Sequence, residues 1–239
     1  MAQKKRLLFK LNAVRKSYGK NTALVINKLQ IHPGTIYGVV GSIGSGKTTL
    51  LDILSGIETE NSGNVLYEDK THKKNWFGTL IQNKEIFYQK YFPETKSIND
   101  IIDLKFKRKK NIIKNRYFKE FTTNKLLKRK MADISDAEKN WFGMVMSFET
   151  DPRVLLIDDY GIHFCNNLET DFRSQILKMN RNLGTTVILT APTDNLLKNF
   201  VSVLIYLDKG KISKIRSGFQ KKTFRKFRKN RKKSNKNNH

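Results

Sequence analysis

The run Gly41, Ser42, Ile43, Gly44, Ser45, Gly46, Lys47, Thr48 has the residue types and the spacing to hold a phosphate. It fits the pattern G-x-x-x-x-G-K-[ST]. Glycines at 41, 44 and 46 let the backbone bend so that successive N–H groups aim at one point. Lys47 adds a point charge for β- and γ-phosphates, and Thr48 offers a hydroxyl to Mg²⁺. A helix opening at Lys47, with Thr49 in its first turn, adds the positive end of its dipole. A second chemical feature is the carboxylate pair Asp158-Asp159, set directly after the apolar run Arg153-Val-Leu-Leu-Ile157. Such a pair at a strand end can hold a metal or stand on a solvated turn; the phosphate loop upstream favours the metal. His163 and Cys165, two positions apart, are too few ligands to define a metal site of their own.

These groups need elements to position them. Ile36-Tyr-Gly-Val-Val40 reads as a buried strand entering the loop, and Thr48 to Leu54 as the helix leaving it. Leu7 to Leu11 and Ala23 to Ile31 alternate as strands do, with a turn signal at Pro33-Gly34. Further buried strands are expected at 153–157, 185–190 and 201–207, and a helix over 168–183. Strands alternating with helices imply a largely parallel sheet with both faces covered. Residues 83–134 show helical spacing, as at Ile98, Ile101, Ile102 and Leu104, with lysines between. Ser135-Asp-Ala-Glu138 has the spacing of a capping box.

The chain has 239 residues, enough for a full α/β core. No run of 18 apolar residues occurs, the apolar run Leu7-Leu-Phe9 is too short for a secretory signal, and the single Cys165 excludes an internal disulfide. These features fit a cytosolic chain. Lys and Arg number 47 against 21 Asp and Glu, a net +26. The excess is uneven: residues 209–239 hold 14 Lys and Arg and no acidic residue. Such surfaces suit anionic partners, although a Lys-rich composition also serves plain solubility. The segment after Gly218 is low in complexity, and a basic tail over 216–239, disordered when free, is expected.

The order of these motifs resembles the ATP-binding cassette, the nucleotide-binding domain of ABC transporters, over about residues 6–215. Arg15-Lys-Ser-Tyr18-Gly19 resembles the aromatic loop, in which Tyr18 would stack on adenine. Leu80-Ile81-Gln82 resembles the Q-loop, in which Gln82 would reach Mg²⁺ and the attacking water. The segment 134–152 runs without a gap alongside the signature helix, and 153–158 resembles the Walker B strand, with Asp158 a ligand of Mg²⁺. The resemblance implies an α/β P-loop NTPase of ABC type. It would have an N-terminal antiparallel β-subdomain, a mostly parallel core sheet and a helical subdomain over about 83–150, within one domain at 1–215. ATP and Mg²⁺ are the implied ligands.

The resemblance is broken at the hydrolytic positions. The signature Leu-Ser-Gly-Gly-Gln reads Ile134-Ser135-Asp136-Ala137-Glu138. In the family the signature Ser clamps the γ-phosphate held by the opposite subunit; Ser135 keeps that hydroxyl, whereas Asp136 sets a carboxylate there. The glutamate after the Walker B aspartate is Asp159, a methylene shorter. The switch histidine is Ala191, and the D-loop aspartate is Cys165. The resemblance therefore implies ATP binding with slow hydrolysis. It also implies a separate transmembrane subunit and pairing as a homodimer or heterodimer with another cassette. The chain is expected in the cytoplasm, peripheral on the inner face of the cell membrane, with anionic lipid or nucleic acid as partner of the tail. Two alternatives stay open: a soluble ABC-type protein acting on nucleic acid or ribosomes, and a non-catalytic regulatory cassette.

Overall fold

A computed structural model describes residues 6–90, 92–162 and 164–218. His163 and the basic segment 219–239 lie outside the described residues. Two sheets carry the chain. Strands β1 (Phe9–Tyr18), β2 (Asn21–Ile31) and β4 (Ser62–Tyr67) form an antiparallel sheet in the order β2-β1-β4. The second sheet has six strands in the order β5-β6-β7-β3-β8-β9. They are β3 (Ile36–Val40), β5 (Ile86–Tyr88), β6 (Val154–Ile157), β7 (Thr186–Ala191), β8 (Val203–Asp208) and β9 (Lys211–Ser217). All its neighbours run parallel except β8 and β9.

The central strands β3, β6 and β7 are buried at every residue, as a parallel sheet covered on both faces requires. Alternate side chains go to opposite faces. Leu155 and Ile157 of β6 join one apolar cluster, with Phe142, Met144, Ile101 and Phe172. Val154 and Leu156 join another, with Leu50, Leu54, Leu11 and Ile26. The first cluster lies under α2 (Ile98–Lys105), α3 (Lys110–Tyr117), α5 (Asp136–Thr150) and α6 (Asn166–Leu183). The second lies between the core sheet, α1 (Lys47–Ser55) and the antiparallel sheet. A short α4 (Phe121–Leu126) completes the helical segment. Truncating a side chain such as Leu155 to Ala would cost about 2–5 kcal/mol.

The α/β architecture expected from the sequence is present: an antiparallel β-sheet near the N-terminus, a mostly parallel core sheet, and helices. Within 83–134, where helical spacing is expected, residues 86–88 instead form β5 and pair in register with β6, Ile86 opposite Val154. Three apolar residues buried together are too short to display a period. Among the described residues no helix is long and apolar enough to cross a membrane.

Candidate functional site

The parallel strands deliver their C-terminal ends to one edge, where ligands of open α/β sheets bind. β3 ends at Val40 and runs into the loop 41–46; α1 then opens at Lys47. Gly46 is the residue before the helix, with φ of 96°, and a Cβ there would lie 2.6 Å from the Ala23 carbonyl oxygen. Only glycine meets both conditions. Being glycine, it makes no side-chain cap to α1, so no capping side chain competes for the first-turn N–H groups. The Lys47 ammonium donates to the carbonyl oxygens of Gly41 (2.7 Å) and Ser42 (2.9 Å), which folds the loop around it. Ser45 is buried, and among the described residues its Oγ finds no hydrogen-bond partner.

Thr48, one residue on, donates its hydroxyl to Asp158 Oδ2 at 2.8 Å, across 110 positions of sequence. Asp158 follows β6, and its side chain is 1% exposed. Thr190 of β7 donates to Asp158 Oδ1 at 2.6 Å and accepts the Asp159 N–H at 2.8 Å. Lys90, just past β5, donates to Asp158 Oδ2 at 3.0 Å, and the Tyr88 hydroxyl approaches the same oxygen at 3.4 Å. Burial pushes the Asp158 carboxyl up. The hydroxyls of Thr190 and Thr48 and the Lys90 ammonium outweigh it and hold the carboxyl below its usual range. Burial likewise pushes Lys90 down, but Asp158 first, then Asp159 and Asp52, hold its ammonium above the usual lysine range. Asp52, one turn along α1 from Thr48, is pushed up to about 6 by burial and by the Asp158 charge, against Lys90 and a Tyr88 hydrogen bond.

Gln89 ends the same row. It is buried; its Oε1 accepts the Asp158 N–H at 3.3 Å and its Nε2 donates to Asn140 Oδ1 at 2.5 Å. Gly143 of α5 makes that contact feasible, because a Cβ there would lie 2.4 Å from the Gln89 carbonyl oxygen. Gln89, Lys90, Asp136, Asn140, Asp158 and Asp159 thus line one cleft of about 350 Å³.

The whole constellation is a phosphate loop, a helix N-terminus and a buried strand-end aspartate bonded to the loop's threonine. A family model described as "ABC transporter" matches residues 26–160, more than half of the chain. The chain belongs to the ABC transporter family. Among curated relatives of this ABC cassette are the spermidine/putrescine import ATP-binding protein PotA of Bacillus anthracis, 27% identical over 216 residues. Another is the methionine import ATP-binding protein MetN of Clostridioides difficile, 24% identical over 218 residues. The first aligns with 87% of this chain and 65% of the relative, so the chain spans about two thirds of that relative's length. Solved cassettes share the fold. One is cbiO1 from Clostridium perfringens (TM-score 0.67, 17% identity, 95% of this chain and 94% of that one). Another is a dimeric cassette in a post-hydrolysis state bound to ADP and Pi (TM-score 0.70, 18% identity, 88% and 100%).

Within this ABC cassette the structure brings Lys47, Thr48 and Asp158 together, with Asp159 beside them. It does not bring Gln82 to them. Gln82 is exposed and lines a surface groove with Gly56, Ile57 and Glu58, beyond the C-terminal end of α1. The cause is directional: Gln82 precedes β5, at the opposite end of the strand from the site, and Gln89 follows it. The signal was in the sequence, since Gln89 comes directly after apolar Ile86-Phe87-Tyr88, much as Asp158 comes after 154–157. Tyr18 ends β1 and is 46% exposed, with the Lys16 ammonium 5.0 Å from its ring centroid. It pairs with Asn21 at the start of β2, the strand whose Ala23 abuts Gly46. Ser135 is the N-cap of α5 in a full capping box with Glu138. Ala191 ends β7, 2% exposed, and its carbonyl oxygen accepts the Gly41 N–H at 3.3 Å. Cys165 sits at the N-cap of α6 without a side-chain cap bond.

Proposed function

We propose that this chain is the ATP-binding subunit of an ABC transporter. In this reading it holds ATP on the loop at 41–48, couples to a separate membrane subunit, and hydrolyses slowly on its own. The observation that carries the reading is the Lys47–Thr48–Asp158 arrangement at the N-terminus of α1, with a lysine ammonium and uncapped N–H groups in one loop. Those groups fit a polyphosphate. The backbone of residues 41–46, Lys47, Thr48 and Thr49 would bind the phosphates, and Tyr18 would offer its exposed ring to the base.

The residues also fit a Mg²⁺ ion. Thr48 and Asp158 already touch, and Gln89 stands beside Asp158. Among the described residues no group of three His, Cys, Asp or Glu gathers to cage a metal by itself. An ion here would share its ligands between this hydroxyl, this carboxylate and the phosphates it accompanies, as Mg²⁺ usually does. When bound it would neutralise phosphate charge. Gln89 would fill the role that the resemblance assigns to Gln82, a reading supported by its bond to the Asp158 N–H.

Slow hydrolysis rests on three residues. Asp159 reaches less far than a glutamate would, Ala191 offers a methyl and no proton acceptor, and Asp136 brings a carboxylate into the cleft with Asp158 and Asp159. Like charges about 4 Å apart repel by roughly 1–4 kcal/mol in surroundings between water and a protein surface. The Ser135 hydroxyl, which among the described residues bonds only to Glu138 in its own capping box, is left for a second cassette, so homodimer or heterodimer pairing belongs to this reading. So does a place at the cytoplasmic face of a membrane. The named relatives are import proteins, which favours uptake as the direction of transport. One domain over 1–215 and a basic tail after it complete the proposal.

Calorimetric titration with Mg-ATP tests it. Wild type is expected to bind, and Lys47→Ala to bind at least about tenfold more weakly, the loss of a charge-assisted contact worth roughly 1.5–3 kcal/mol. Equal affinity of the two proteins would refute the reading.

A further inference from the structure

Asp158 is surrounded more completely than a metal ligand needs to be. Its Oδ1 takes the Thr190 hydroxyl at 2.6 Å. Its Oδ2 takes Thr48 at 2.8 Å and Lys90 at 3.0 Å, with Tyr88 at 3.4 Å. Lys90 is the cation in that set, and it reaches in from the half-exposed side of the cleft while the carboxylate is 1% exposed. The ammonium is tethered: Lys90 follows Gln89, whose side chain is bonded both to the Asp158 backbone and to Asn140 of α5. A buried carboxylate without a counter-charge is costly. In this chain the counter-charge comes from the polypeptide, on the oxygen that also holds the threonine of the phosphate loop.

We propose that Lys90 is a built-in cation of the phosphate site, an alternative to a divalent ion at Asp158, so that this chain binds a nucleoside triphosphate in its metal-free form as well as with Mg²⁺. The proposal rests on the ATP-binding reading above and names the form of the ligand that reading leaves open. Lys47 and Lys90 flank Thr48, one bonded to the loop carbonyls and the other to the aspartate that Thr48 contacts. Lys90 thus puts an ammonium on the very carboxylate oxygen that the Thr48 hydroxyl contacts, where a metal would supply charge, and Lys47 adds a second within the phosphate loop. A divalent ion entering at Asp158 Oδ2 must displace Lys90 or stand close to its like charge, which reduces what the ion adds.

The test is equilibrium dialysis of the full chain against radiolabelled ATP, in Mg²⁺ and in EDTA, for wild type, Lys90→Arg and Lys90→Gln. Circular dichroism and thermal melting report on folding of each. Wild type and Lys90→Arg are expected to show dissociation constants within about threefold in the two media. Lys90→Gln is expected to bind at least about tenfold more weakly in EDTA than in Mg²⁺. A purely structural role for Lys90 would weaken binding equally in both media and leave the ratio unchanged, which overturns the proposal. A wild type that itself loses tenfold or more in EDTA overturns it too, while leaving the ATP reading intact. Absence of ATP binding in both media overturns the ATP reading and this proposal together.

Discussion

Replacing Thr190 by Val tests whether Asp158 is held as described. The swap keeps shape and burial, since Thr190 is 0% exposed. It removes one hydroxyl that donates to Asp158 Oδ1 at 2.6 Å and accepts the Asp159 N–H at 2.8 Å. The first bond has a charged acceptor, so its loss costs roughly 1.5–3 kcal/mol. The second leaves a part-buried N–H without that partner, which adds roughly 1–2 kcal/mol. The sum is about 2.5–5 kcal/mol, and for a chain of this size about 5–20 °C in melting temperature. Urea denaturation followed by the fluorescence of Trp76 and Trp141 measures it directly. Thr190→Ser serves as the comparison, because it keeps the hydroxyl and gives up only a methyl, about 1 kcal/mol. Thr190→Val within 1 kcal/mol of wild type, at an unchanged denaturant slope, would refute the account of how Asp158 is fixed.

Other substitutions address neighbouring claims. Asp52 is pushed up to about 6, so the folded chain takes a proton that the unfolded chain gives up near pH 4. Stability then falls as pH rises from about 4 to about 6 and stays lower above that. Discounted for partial solvent access, the effect is about 1–2 kcal/mol; Asp52→Asn should be more stable than wild type by that much at pH 8, with the gain shrinking toward zero at pH 4. An equal gain at both pH values would count against a raised Asp52. Gln89→Leu strips partners from the Asp158 N–H and from Asn140, so a loss of about 1–3 kcal/mol is expected, against less than 0.5 kcal/mol for exposed Gln82→Leu. Equal losses in urea titration would remove the distinction between the two glutamines. The double change Asp159→Glu with Ala191→His should raise ATP-dependent phosphate release several-fold over wild type. No increase, in a protein that still binds ATP, would mean that these two positions do not limit turnover.

The parts of the site that are local in sequence are legible there. The phosphate loop, its entering strand and the helix leaving it occupy residues 36–55 without interruption, and glycine spacing reports backbone geometry directly. Asp158 is legible for a similar reason, as a carboxylate closing an apolar run. Their meeting is not, because Thr48 and Asp158 are 110 positions apart and only the register of β3, β7 and β6 brings their ends together. Gln82 and Gln89 show how a short strand misleads. The three apolar residues of β5 carry no readable period, so the glutamine before them and the glutamine after them look alike until the strand's direction is known. Lys90 lies in a lysine-rich sequence where no single lysine stands out; its partner is visible only in three dimensions.

We propose that this ABC cassette holds ATP on its Lys47 loop and cleaves it slowly. Purified full-length chain can be incubated with Mg²⁺ and ATP carrying label on the α-phosphate, passed rapidly through a desalting column, and the retained nucleotide resolved by thin-layer chromatography over time. The retained label is expected to be mostly intact ATP at early times and to convert slowly, with no retention by Lys47→Ala. Retained nucleotide that is already ADP at the earliest time, or retention equal in wild type and Lys47→Ala, would contradict it.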